Sequence, residues 1–287
     1  MPRVKVGGPD CKQAYMASPL KIREVPMGED VISPAAHSAF TTPIGLLEFI
    51  KQLRELSGGK TIGIKMCLGR RDEFLAIVKA MLETSIKPDF ITIDGSEGGT
   101  GAAPVVMTNS VGTPLRDALV FINRALIGSG LRDNIRIIAA GKMFSAFHML
   151  RSMALGADII NSARGMMLAL GCIQSRTCNS DHCPTGIATQ NVSRNNALVV
   201  TDKYRRVANF HKETVEQLVD LVGAAGLESF ADLKPKHINR RVQGTDIKTY
   251  AQLYPTIDAG CLLNTDTIPE HWLDDWQSAD AQRWSAA

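Results

Sequence analysis

Three cysteines fall within twelve residues, Cys172, Cys178 and Cys183, in the spacing C-x5-C-x4-C. Thiolates at that density, with Pro184 directly after the last, suit an iron–sulfur cluster. Zinc would want a fourth ligand, and His182 adjoins Cys183, too close for the usual zinc spacing. A third reading, three buried structural thiols, fits less well, because Pro184, Gly186 and the polar residues in between describe an ordered loop. Six cysteines in 287 residues are too few for a disulfide scaffold, which favours reduced thiols acting as metal ligands. Cys11, Cys67 and Cys261 read as core or surface thiols, and the remaining histidines, among them His37 and His148, stand in no triad-like spacing.

A second group of residues points to a phosphorylated, flat ligand. Asp94 to Pro104 carries four glycines in eleven residues, which lets the backbone approach a ligand closely; a plain surface loop is the alternative. Gly141-Lys142 and Asn161-Ser162-Ala163-Arg164-Gly165 each follow an apolar run, where a parallel α/β fold exposes amides to phosphate. Helix capping by Asn161 or Ser162 is the alternative there. Each signal is weak alone, and their recurrence at the same end of successive units supports a cofactor such as FMN. Lys65 lies inside the apolar run Ile62-Gly63-Ile64-Lys65-Met66, where a charge is costly unless it meets a ligand or counterion. It reads as an inward-facing functional lysine, with snorkelling from a strand end as the rival.

These residues need strands to end beside them, and the hydrophobic pattern supplies four. Thr61–Met66, Asp89–Asp94, Ile135–Ala140 and Gly156–Asn161 are short apolar runs. Helical stripes over Asp72–Thr84, Leu115–Ile127, Phe144–Leu155 and Met166–Leu170 follow them in alternation. A further helix is expected before them, over Pro43–Leu56. Continuous apolar strands alternating with helices predict a parallel sheet, either doubly wound or part of a barrel. A complete eightfold barrel takes about 250 residues and eight βα units, and about four are visible. Beyond the cysteine loop the pattern turns helical, with a long amphipathic segment over Lys203–Gly223, then a polar tail from Lys234.

Composition closes off several classes. With 45% apolar and 21% charged residues the chain is an ordinary globular one. The net charge of +3 is spread along the chain, so nucleic acid is not an expected partner. No run approaches the ~18 apolar residues of a membrane helix, and no apolar leader is seen, so a soluble, cytoplasmic protein is expected.

Ala154-Leu155-Gly156-Ala157-Asp158, the run Asp94 to Pro104, and above all Ala169-Leu170-Gly171-Cys172 through Cys183-Pro184-Thr185-Gly186-Ile187-Ala188-Thr189-Gln190 resemble the FMN-binding synthase domain of glutamate synthase, in its short stand-alone prokaryotic form. The resemblance covers most of residues 22 to 245. It implies a (β/α)8 TIM barrel holding FMN and a [3Fe-4S] cluster, which converts 2-oxoglutarate and ammonia, drawn from glutamine or free, to L-glutamate with reduced flavin. Position by position, Cys172, Cys178 and Cys183 resemble the cluster ligands and Lys65 the strand lysine beside the flavin. Ser96, Gly98, Gly99, Thr100 and Gly101 resemble the loop flanking the ring and substrate. Gly141, Lys142, Ser162, Ala163 and Arg164 resemble the segments around the flavin phosphate, although Lys142 stands where larger members have a second glycine.

The chain also departs from the family pattern. Members of this type carry the first barrel strands and a motif of the kind E-I-K-x-S-Q-G-A-K-P-G ahead of the segment resembling Lys21 to His37, and nothing like it occurs here. The join near Leu20 resembles an internal deletion. The expected organisation is a remnant over residues 1–20, the C-terminal half of an incomplete barrel with its cysteine loop over 21–200, and a helical and polar region over 201–287. Half a barrel has two open edges, which predicts self-association. An electron-donor protein or subunit, using NADPH or ferredoxin, is expected to serve the flavin, since the chain has no dinucleotide fingerprint of its own. An inactive or partner-complemented remnant is the alternative to a working enzyme.

Overall fold

A computed structural model of the chain describes residues 5–6, 31–32, 36–95 and 111–284. Its centre is a four-stranded, all-parallel sheet of β1 (Gly63–Cys67), β2 (Phe90–Asp94), β3 (Arg136–Ala140) and β4 (Ile159–Asn161), which lie side by side in chain order. Helix α1 (Pro43–Leu56) leads into β1, while α2 (Arg71–Thr84), α3 (Leu115–Gly128) and α4 (Ala146–Ala154) are the crossovers between successive strands. After β4 come the short α5 (Arg164–Leu170), the cysteine loop and the long α6 (Val200–Ala224). The expected mixed α/β fold with a parallel sheet is therefore present.

Local chemistry sets the element ends. Thr42 caps α1, its hydroxyl accepting the Gly45 N–H at 2.9 Å, and Pro43 occupies the first turn, where its missing N–H costs nothing. Ser145 caps α4 in the same way. Gly171, at φ +109°, ends α5 in the left-handed conformation and turns the chain into the cysteine loop.

The sheet has two unlike faces. Ile64 and Met66, Ile91 and Ile93, Ile137 and Ala139, and Ile160 point to the helix layer and join its hydrophobic core, with Ile91, Ile93, Ile137 and Ala139 fully buried. The alternate residues point the other way, and that face is largely open: Lys65, Cys67 and Asn161 are exposed, and Ile159 is 49% exposed. Phe90 lies across Gly63 on this face, and Thr92 is its one buried polar residue among those described. Sequential parallel strands with helices on a single side form an arc.

At the foot of the sheet, opposite the strand C-termini, two aspartates repeat one arrangement. Asp89, just before β2, accepts the Ile62 N–H at 2.6 Å and the Arg54 guanidinium at 2.9 Å. Asp158, just before β4, accepts the Ile137 N–H at 2.7 Å and Arg132 at 2.9 Å. The last part of the chain is not a bare polar tail. It forms a hairpin of β5 (Asn239–Arg241) and β6 (Ile247–Thr249) and a helix α7 (Glu270–Ser278) packed on α2. Trp272 of α7 stacks on Phe121 with centroids 4.7 Å apart, and Lys79 donates to the Ala279 carbonyl at 2.9 Å.

Candidate functional site

Strand register aligns the residues singled out in the sequence. Cys67, Asp94, Ala140 and Asn161 stand opposite one another across all four strands, so the segments that follow them share one rim. The Gly95 N–H donates to the Ala140 carbonyl at 2.9 Å, and the Ser162 hydroxyl donates to the Met143 carbonyl at 2.6 Å. These two bonds tie the loop after β2 to β3, and the loop after β4 to that after β3. Gly141, Lys142, Ser162, Ala163 and Arg164 are thereby neighbours. Lys142 adopts φ +46°, a conformation uncommon for a side-chain-bearing residue and one found at functional sites. Ser162 caps nothing, since α5 starts after Ala163 without a side-chain cap.

Lys65 projects from β1 onto the open face and pairs with Asp94 at 2.9 Å, its side chain still 57% exposed. The counterion that a lysine in an apolar strand needs is therefore the last residue of the neighbouring strand. Asp94 was not among the sequence's candidate residues, although its place between an apolar strand and a glycine-rich run was the available signal. Ser96, Gly98, Gly99, Thr100 and Gly101 lie outside the described residues.

The cysteine loop is built from tight turns, with Gln174, Arg176, Asp181 and Gly186 all at positive φ. Asp181 anchors it, since its carboxylate accepts the Gln190 N–H at 2.7 Å and its carbonyl accepts the Thr189 hydroxyl at 2.6 Å. Cys172 sulfur accepts the Gln174 N–H at 3.5 Å. Cys183 is buried, which alone would raise its thiol. Hydrogen bonds from the Thr185 hydroxyl and from the N–H groups of Ala188, Thr185 and Ile187 outweigh that and hold it below its ordinary value. The His182 ring is bonded through Nδ1 to the Ser180 carbonyl at 2.6 Å. Among the described residues no three or more Cys, His, Asp or Glu side chains gather as a centre for a metal ion. The loop thus stabilises one thiolate without drawing all three sulfurs together. Donor chemistry fits a cluster at Cys183, and the arrangement of the three thiols does not yet form one.

Comparison with known proteins now decides the family. A family model described as the conserved region in glutamate synthase matches residues 14–228. The chain belongs to the glutamate synthase family. The glutamate synthase large subunit-like protein YerD of Bacillus subtilis is 38% identical over 226 residues, covering 79% of this chain and 43% of the relative. The archaeal glutamate synthase [NADPH] of Methanocaldococcus jannaschii is 33% identical over 227 residues, covering 79% and 44%. The chain therefore spans less than half the length of these relatives. Among solved structures, a mutant flavocytochrome b2 with pyruvate bound shares 17% identity at a TM-score of 0.37, covering 81% of this chain and 44% of that one. A score that low bears no weight for topology. No helix of the described residues is long and apolar enough to cross a membrane.

Proposed function

We propose that the chain is the C-terminal half of the (β/α)8 synthase domain of a glutamate synthase-type oxidoreductase, which converts 2-oxoglutarate and ammonia from glutamine to L-glutamate with FMN and a [3Fe-4S] cluster. The observation that carries the reading is the shared rim: in a glutamate synthase family chain, Lys65, Lys142 and Arg164 bring positive charge to the strand ends where such folds bind phosphorylated ligands. When bound, the flavin would supply the hydride to substrate. Gly141, Lys142, Ser162, Ala163 and Arg164 would hold its phosphate through backbone amides and two cationic side chains, Ser162 by its N–H because its hydroxyl proton is committed to the Met143 carbonyl. Lys65 would place a positive charge beside the ring, which favours the reduced, anionic form, and Asp94 fixes where that charge sits. Cys172, Cys178 and Cys183 would hold the irons.

Anaerobic purification followed by flavin, iron and sulfide analysis tests the reading directly. FMN near one per chain, with iron lost but flavin kept in a variant whose three loop cysteines are serine, is the expected result. A chain that takes up neither FMN nor iron on reconstitution would refute it. The open face of a four-stranded arc favours a second reading, a domain that works only when complemented by a partner. Turnover dependent on 2-oxoglutarate by a monomer of this chain alone would rule that out.

A further inference from the structure

Helix α6 is 25 residues long, and of these only Thr214 and Val222 are buried. It rests on α4 and α5 along one side, with the Phe210 ring against Gly165 and with Leu218 and Leu221 packed on the core. Beside that contact runs a second stripe, Val200, Tyr204, Ala208, His211, Val215 and Val219. Every member is exposed, and Val200, Tyr204, Val215 and Val219 are between 43% and 75% so. Long exposed apolar stripes rimmed by charge mark protein contacts. The spacing of this one is 4-4-3-4-4. Each of its first three residues recurs eleven positions on, a period of about 3.67 residues per turn that keeps the stripe nearly straight along the helix. Its order also reads the same from either end, the pattern a self-complementary contact needs, in which residue i meets j and j meets i.

We propose that this stripe is a dimer contact, on which α6 of a second copy of the chain lies antiparallel. A two-fold axis between Asn209 and Phe210 sets Val200 opposite Val219, Tyr204 opposite Val215 and Ala208 opposite His211. The charges favour a second copy as the occupant, and favour antiparallel over parallel. Val200–Asn209 carries Lys203, Arg205 and Arg206 against Asp202, whereas Phe210–Asp220 carries Glu213, Glu216 and Asp220 against Lys212. An antiparallel copy lays each basic half on an acidic one, and a parallel copy would lay like on like. On one border of the stripe Arg205 meets Glu216 of the second copy, and Glu216 meets the Arg205 of that copy. Both are already steadied beside the stripe: the Arg205 guanidinium lies 5.7 Å from the Tyr204 ring centroid, and Lys212 lies 3.7 Å from Glu216. The stripe runs along about 30 Å of helix, a small interface that suits a reversible dimer of micromolar affinity. The contact involves neither the cofactor rim nor the edges of the sheet, so it is separable from synthase activity.

Sedimentation velocity on the full chain across the micromolar range should show a monomer–dimer equilibrium. Val215→Asp and Val219→Asp should each weaken it at least about tenfold, the effect of setting an unpaired carboxylate in an apolar contact. Ile247→Lys, exposed on β6, should leave it unchanged. Arg205→Glu and Glu216→Arg should each weaken self-association by setting like charges together. An equimolar mixture of those two variants should recover a dimer, because both border pairs are then of opposite sign. The substituted residues are all exposed, so circular dichroism should be unaltered, and any variant that misfolds leaves the remaining ones to decide. A chain that stays monomeric throughout the range, a dimer indifferent to Val215→Asp and Val219→Asp, or a mixture of the charge variants that associates no better than either alone would overturn the proposal.

Discussion

Single residues divide between the two ends of the strands. At the rim, Gly186 turns the chain after Cys183 at φ +77°, and a Cβ there would collide with the Arg194 carbonyl. Gly186→Ala is expected to cost about 2–4 kcal/mol and to release Cys183 from its donors; denaturant unfolding together with thiol alkylation rates reads both effects. At the foot, burial pushes the Asp89 carboxyl up, but the Ile62 N–H and Arg54 more than offset it and leave it below its ordinary value. A carboxyl lowered in the folded state adds stability that is full above its unfolded value near 4 and disappears as pH falls through the folded one. Asp89→Asn should lose about 1 kcal/mol at neutral pH, a figure kept small because the pair is partly exposed. It should also flatten the acid limb below about pH 4, as urea unfolding at pH 7 and pH 3 would show. An unchanged acid limb in the variant would contradict this account. The candidates stand out in the sequence for different reasons: the cysteines by their spacing, the rim residues by following apolar runs, and Lys65 by putting a charge inside one. Asp94 and Asp89 do not, because an acidic residue at a strand end looks like any other polar boundary.

At the level of elements, the βα alternation was readable almost to the residue. Pro43–Leu56 is a helix as expected, and the four strands fall inside their predicted runs to within one residue at the C-terminal end. Period-two and period-3.6 patterns survive here because the helix-facing side of every strand joins the hydrophobic core, fully buried on β2 and β3 and partly on β1 and β4. The C-terminal segment was harder. Its mean polarity hides a stripe of Trp272, Leu273 and Trp276 on α7, in which a single ring, Trp272, does most of the burying. Trp272→Ala should therefore cost about 3–5 kcal/mol, the range for losing a large buried aromatic, measurable as a drop in unfolding free energy. A loss below about 1 kcal/mol would mean that α7 is not a working part of the core.

For the whole molecule, the residues after the matched family region behave as part of the core. Ile127 and Gly128 of α3 accept backbone bonds from Gly260 at 3.1 Å and Leu262 at 2.9 Å, and Ile44 of α1 donates to Ala281 at 3.2 Å. Truncation after residue 228 should uncover Phe121, Leu126 and their neighbours and abolish the cooperative thermal transition, with dye binding to the exposed apolar surface as the readout. A truncated chain that still melts cooperatively would show that the C-terminal segment is dispensable.

The paired aspartates at the foot of the sheet carry one more implication. Each fastens its strand to the neighbour before it, through that neighbour's own N–H and an arginine close in sequence or space. Alignment is thus clasped at the β1–β2 and β3–β4 seams, and β2 and β3 are held in step by their own ladder. The four strands are thereby fastened in two pairs at the end away from the rim, so the level of the strand ends on which any cofactor would depend is set from the opposite side of the sheet.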